Sequence, residues 1–155
     1  MDLYEESLVK PELVFLDCDL EDQHALFFML EERLCDLGYV QRGWGEKIMQ
    51  RERSYPTGLK TAALDIALPH VYVCVEKPFI AVVRPRCPIT FEPMAGHGTC
   101  VDARIIFTLG VCGEDRHIDA LRRLMAFFSH PKLAQQLMAE TSPEAVVSSL
   151  VSFFA

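Results

Sequence analysis

The chain has no surplus of basic residues: 15 Lys and Arg face 22 Asp and Glu, a formal charge of −7. That balance argues against general nucleic-acid binding, which needs basic surfaces against phosphates, while leaving room for a local basic pocket. No apolar run approaches the roughly 18–20 residues of a membrane-spanning helix. The opening Met1-Asp2-Leu3-Tyr4-Glu5-Glu6 is acidic and lacks the basic and apolar regions of a signal peptide, so a cytoplasmic location is expected. No Ser/Gly-rich linker, repeat or low-complexity tract interrupts the sequence, and one domain over residues 1–155 is expected. Three enzyme templates are missing: the phosphate-cradling Gly-x-x-x-x-Gly-Lys-Ser/Thr, the dinucleotide Gly-x-Gly-x-x-Gly and the nucleophile elbow Gly-x-Ser-x-Gly. The six cysteines contain no Cys-x-x-Cys, so reduced, mostly buried thiols are expected. His97, Cys100, Cys112 and His117 do not have the compact spacing of a zinc site, and no metal is expected.

Half the residues are apolar, enough for a real core in a chain of this length. Leu13 to Leu16 reads as a first strand. Asp19 or Asp22 is placed to cap a following helix whose Leu26, Leu30, Leu34 and Leu37 share a face, and Gly38 ends it. A second helix is expected over Trp44 to Glu52, broken by Pro56 and Gly58. Strand-like runs follow at Ile66–Leu68, Tyr72–Val75, Phe79–Val83, Ile89–Phe91 and Ile105–Leu109. The last third is helical, with an apolar stripe of Leu121, Leu124, Met125 and Phe128. A further helix starts at Pro131, and Thr141-Ser142-Pro143-Glu144 has the form of a capping box. Helices, then strands, then helices suggest an α/β sheet covered on both faces.

Ala67-Leu68-Pro69-His70 is the most informative stretch. Pro69 cannot donate to a ladder and biases Leu68 toward extended backbone. His70 therefore stands where a strand stops, a place suited to a nucleophilic imidazole that another protein must reach. Neutral imidazole, with an ordinary pKa of about 6.5, is a competent nucleophile near neutrality. Position alone weighs equally for a strand-end histidine bonded to backbone. His117, in Gly113-Glu114-Asp115-Arg116-His117, begins a helix, where free N–H groups and the dipole attract anions. The pattern alone suits a solvated first-turn residue as well. Arg51 reads either as a phosphate-binding fork or as a helix-surface residue pairing with Glu46 or Glu52. His24 and His130 read as peripheral.

The run Arg51-Glu52-Arg53-Ser54-Tyr55-Pro56-Thr57-Gly58-Leu59, followed by Asp65-Ile66-Ala67-Leu68-Pro69-His70, resembles the enzyme IIA domain of the mannitol–fructose class of the bacterial phosphotransferase system. Its Pro-Thr-Gly-Leu form is most similar to galactitol-type IIA proteins. The likeness continues through Pro88-Ile89-Thr90-Phe91, Met94, Val101-Asp102, Ile105–Leu109 and Glu114–Leu121. It covers the chain from about Val14 onward.

The resemblance implies a single type-2 IIA domain with a mixed, mostly parallel sheet of about five strands, flanked by helices on both faces. It implies a phosphoryl relay: His70 accepts phosphate from the phosphocarrier HPr and passes it to a cysteine of a IIB protein. A membrane IIC component would then take up a sugar alcohol, galactitol-like, or a related sugar. Arg51 and His117 would stabilise the phosphoryl group, and Thr57 would hydrogen-bond near the imidazole or shape the turn. Arg53 is the rival to Arg51 should the register slip. No cofactor or metal is implied. The alternative is a stand-alone regulator that binds a target in one phosphorylation state of His70. The sequence departs from the family at Val71, where a small or hydroxyl residue is usual, and at Thr61-Ala62-Ala63-Leu64, where glycine is common. A bulky residue beside the nucleophile is expected to tighten the pocket or alter docking.

Overall fold

The computed structural model describes the backbone of residues 8–96, 98–110 and 114–154; the side chains of residues 95, 114–117 and 154 lie outside the described part. Strand β1 (Val14–Cys18) is followed by helices α1 (Gln23–Asp36) and α2 (Trp44–Ser54). Then come β2 (Gly58–Lys60), β3 (Asp65–Ala67), β4 (Phe79–Pro85), β5 (Ile89–Phe91), β6 (Val101–Ala103) and β7 (Ile105–Gly110). Helices α3 (Glu114–Phe128), α4 (Pro131–Ala139) and α5 (Pro143–Phe154) complete the order.

The main sheet has five strands in the order β1-β4-β7-β3-β2. It is mixed as expected: β1 with β4 and β3 with β7 run parallel, β4 with β7 and β2 with β3 antiparallel. The two central strands, β4 and β7, are buried along their whole length. That is what continuous runs such as Phe79-Ile80-Ala81-Val82-Val83 predict for strands covered on both faces. Period-2 alternation divides their side chains. Ile80, Val82, Phe107 and Leu109 pack with Leu124, Phe128, Leu137 and Leu150 of α3–α5. Phe79, Ala81, Val83 and Ile106 pack with Leu26, Phe27, Leu30, Leu34, Trp44 and Ile48 of α1 and α2.

Local signals act as the sequence suggests. Asp22 caps α1, accepting a hydrogen bond from the Ala25 N–H at 2.9 Å. Gly38, at φ +84°, ends it, with Tyr39 N–H returning to the Leu34 carbonyl at 2.8 Å. Several details differ from expectation. None of the five described cysteines is buried, and Cys87 and Cys100 are exposed. Tyr72–Val75 is not a strand: Cys74 sits at φ +63°, Val73 is half exposed, and only Val75 makes an isolated bridge to Val40. Two three-residue strands, β2 and β6, are too short to show periodicity. The cap of α5 is Ser142, whose Oγ accepts from the Ala145 N–H, in place of a box between Thr141 and Glu144. Met125 is 40 % exposed and lies outside the buried stripe.

Candidate functional site

His70 is set by a short sequence of backbone contacts. β3 pairs with β7 through Ile66 and Ala67, and Pro69, lacking an N–H, still offers its carbonyl to the Leu109 N–H at 3.0 Å. His70 then bridges to Leu109, so the chain follows β7 for three residues beyond the named strand. His70 is 9 % exposed, more enclosed than a strand end suggests. It reaches solvent through a cavity of about 470 Å³, whose lining also includes Tyr55, Thr57, Met94 and Leu121.

His70 Nδ1 lies 2.8 Å from the Leu68 carbonyl oxygen. A carbonyl only accepts, so Nδ1 carries the proton and Nε2 the lone pair. Burial pushes the His70 pKa below its ordinary value; the bond to Leu68 opposes this, and the Arg51 guanidinium adds to the lowering. Burial is the largest of these effects, and the net lowering favours neutral imidazole, the nucleophilic form, at neutral pH.

Arg51, in the last turn of α2, lies among aromatic rings, 4.6 Å from the Tyr55 centroid and 5.8 Å from that of Tyr72. Stacking of this kind holds a guanidinium in place without consuming its hydrogen-bond donors. Its Nε is buried and has no hydrogen-bond partner among the described residues. No ion pair joins Arg51 to Glu46 or Glu52 among the described residues. Arg53, the alternative on register, is exposed and bonds to the Met49 carbonyl one turn back. Among the described residues, the charge that acts on His70 is that of Arg51.

Thr57 is buried, and its hydrogen bonds run to Glu52 and Leu68. Its N–H and hydroxyl donate to the carboxylate of Glu52, at 2.8 Å and 2.9 Å. Its Oγ1 accepts from the Leu68 N–H at 3.3 Å. Gly58 follows because nothing larger fits: a Cβ there would lie 2.5 Å from the Glu92 carbonyl oxygen and 3.0 Å from Val101. Gly58 therefore lets the edge strand β2 pass close to Glu92 and Val101 while Thr57 reaches Leu68.

Glu52 is the residue that sequence reasoning missed. In the sequence it reads only as a partner for Arg51, yet it is 4 % exposed and turned onto Thr57. Burial pushes its carboxyl up to about 7, against the opposing effect of the Thr57 donors. The available signal was a glutamate one turn before a Pro-Thr-Gly break, where an N–H and a hydroxyl both need an acceptor.

Val71 does not crowd the cavity. Its side chain is buried on the other face of the sheet, in the cluster containing Trp44 and Phe79. His117 belongs to the first turns of α3, but its side chain lies outside the described residues, as do His97 and Cys112 altogether. No group of three or more His, Cys, Asp or Glu among the described residues is placed to hold a metal ion. No helix among them is long and apolar enough to cross a membrane. His24 is exposed and stacks on Phe28 at 4.3 Å, and His130 contacts Phe153 at the start of α4.

No curated protein matches the chain significantly. Solved structures do. Nitrogen regulatory protein IIA-Ntr from Neisseria meningitidis is 21 % identical with a TM-score of 0.75, covering 94 % of this chain and 97 % of that one. IIA mannitol from Escherichia coli is 19 % identical with a TM-score of 0.70, covering 91 % and 97 %. Enzyme IIAMtl, in its complex with phosphorylated enzyme IIBMtl from Escherichia coli, is 21 % identical with a TM-score of 0.73, covering 92 % and 96 %. At these identities the likeness is one of fold. Residues 7–152 match the family described as phosphoenolpyruvate-dependent sugar phosphotransferase system, EIIA 2, and with that match over most of its length the chain belongs to this family.

Proposed function

We propose that this protein is a phosphoryl-relay component that accepts phosphate on His70 Nε2 from phospho-HPr and passes it to a IIB cysteine. The observation that carries the reading is the pairing of a tautomer-fixed imidazole with a guanidinium whose buried Nε lacks a partner among the described residues. In the first transfer, the Nε2 lone pair forms a P–N bond as the donor's P–N bond breaks. The Nδ1 proton stays on the ring and is held by the Leu68 carbonyl. In the second, a thiolate attacks phosphorus, a P–S bond forms, and the electron pair returns to Nε2. Phosphoryl transfer is catalysed mainly by positioning and charge neutralisation, and Arg51 supplies a fixed donor for the equatorial oxygens. Met94 and Leu121 give the cavity apolar walls, which limit the water that would hydrolyse the phosphoramidate.

His117 is the second proposed phosphate ligand. The support is its place one turn before Leu121, a residue lining the same cavity. Thr57 acts through Leu68 rather than on the phosphate. A IIB acceptor is consistent with the IIAMtl–IIBMtl complex of a fold relative. A sugar alcohol of the galactitol type remains the substrate class suggested by Pro-Thr-Gly-Leu, the sugar itself being bound by the membrane IIC component. The regulatory alternative uses the same phosphorylated histidine and has no separate observation in its favour.

The test is incubation with phosphoenolpyruvate, enzyme I and HPr, followed by intact mass spectrometry. One phosphate, stable in alkali, lost in acid and absent from His70→Ala, is expected. Modification that survives His70→Ala removes the assignment. Onward transfer to a IIB cysteine separates the relay from the regulator. His117→Ala should still accept phosphate but transfer it onward poorly, and unchanged onward transfer would count against its role.

A further inference from the structure

A hydrogen-bonded path inside the protein ends at His70, and neither the phosphate nor a partner can touch its far end. Glu52 is 4 % exposed and accepts from both the N–H and the hydroxyl of Thr57. Thr57, 3 % exposed, accepts the Leu68 N–H on Oγ1 and on its own carbonyl, both at 3.3 Å. Leu68 has no β-ladder partner on this side, since β3 ends at Ala67. These two bonds satisfy its N–H, beside the packing of its fully buried side chain and the tie of Pro69 to the Leu109 N–H. The Leu68 carbonyl takes the Nδ1 proton of His70 at 2.8 Å.

From this geometry we infer that Glu52 is a positioning residue for phosphoryl transfer: it holds the Thr57 side chain, which fixes Leu68, whose carbonyl sets the tautomer and orientation of His70. The inference rests on His70 being the phosphoryl acceptor, and it assigns work to a carboxylate that makes no contact with phosphate.

The directions of the bonds support the chain of action. Thr57 has one hydroxyl proton, and the Glu52 carboxylate, in its ionised form, accepts it in a hydrogen bond. Oγ1 then has only lone pairs to turn toward the Leu68 N–H. Without the carboxylate, the hydroxyl proton has no assigned acceptor and the buried Thr57 N–H is orphaned, so the turn must move to find partners. A shift of Leu68 by a few tenths of an ångström passes directly to the imidazole. Attack on phosphorus depends on an in-line approach, and small misplacements of a reacting group cost large factors in rate.

The experiment uses the full-length chain with Glu52→Ala, Glu52→Gln, Thr57→Val and Thr57→Ser. Two quantities are read: the His70 tautomer from nitrogen-15 NMR of the unphosphorylated protein, and the rate of phosphate acceptance from phospho-HPr. Wild type should show the Nδ1–H form. Glu52→Ala and Thr57→Val should give mixed tautomers and rates lower by about tenfold to a hundredfold. Glu52→Gln retains an acceptor for the Thr57 N–H, and Thr57→Ser retains the hydroxyl. Both should stay within about threefold of wild type. Folded Glu52→Ala and Thr57→Val proteins with wild-type tautomer and rate would overturn the inference. If Glu52→Ala does not fold, the Thr57→Val and Thr57→Ser pair decides it. A wild-type protein that accepts no phosphate would defeat the functional reading, while the tautomer measurement would still judge the role of Glu52.

Discussion

Replacing Glu52 by Gln should change how stability depends on pH, with a sign opposite to that of most carboxylates. Glu52 is raised from an ordinary 4.5 to about 7 by burial. Between those values the folded protein holds a proton that the unfolded chain releases, so folding is favoured at low pH and weakened as pH rises through about 7. At about 1.4 kcal/mol for each tenfold change, the full loss is about 3 kcal/mol, most of it between about pH 5 and pH 8. His70 acts in the other direction. Its pKa is lowered in the fold, so it adds stability as pH rises toward its unfolded value. It does so equally in wild type and Glu52→Gln, and drops out of their difference. Urea unfolding followed by Trp44 fluorescence is the assay, since Trp44 is the sole tryptophan and is fully buried. Relative to wild type, Glu52→Gln should gain about 3 kcal/mol between the two pH values, a relative midpoint shift of about 1–2 M urea. Two parallel pH profiles would refute the buried, elevated carboxyl and with it the reading of the Thr57 contacts.

Arg51→Ala should slow phosphate acceptance by about a hundredfold, as loss of one fixed transition-state donor does; Arg51→Lys should restore only part of the rate, measured by rapid-quench transfer from phospho-HPr. Gly58→Ala should destabilise by about 1–3 kcal/mol in urea unfolding, because the new methyl meets the Glu92 carbonyl at 2.5 Å. An unchanged midpoint would show that β2 can move aside. Val71→Ala should cost about 1–3 kcal/mol of stability with little effect on acceptance rate, since its side chain packs away from the cavity. A rate change beyond a few-fold would contradict that separation.

The features legible in the sequence are those with a local physical cause. Asp22 before an apolar helical repeat, Gly38 after it and the unbroken apolar run of β4 each specify their element without help from elsewhere. Pro69 and His70 were legible for the same reason, since a residue without an N–H must end or redirect a ladder. Features that depend on distant contacts were not. Tyr72–Val75 has the composition of a strand, but Cys74 adopts a left-handed conformation and the segment turns. Gly58 explains itself only when the Glu92 carbonyl is seen beside it. Glu52 looked like a surface partner for Arg51, because nothing local says that its carboxylate faces inward to Thr57. Val71 reads in the sequence as crowding the nucleophile; the alternation that turns His70 to the cavity sends Val71 into the opposite core.

Phosphorus-31 and nitrogen-15 NMR of the protein after reaction with phospho-HPr measures the site of the new bond directly. A P–N linkage at Nε2 of His70, with Nδ1 still protonated, is expected. Phosphate on Nδ1, on another residue, or on none would contradict it.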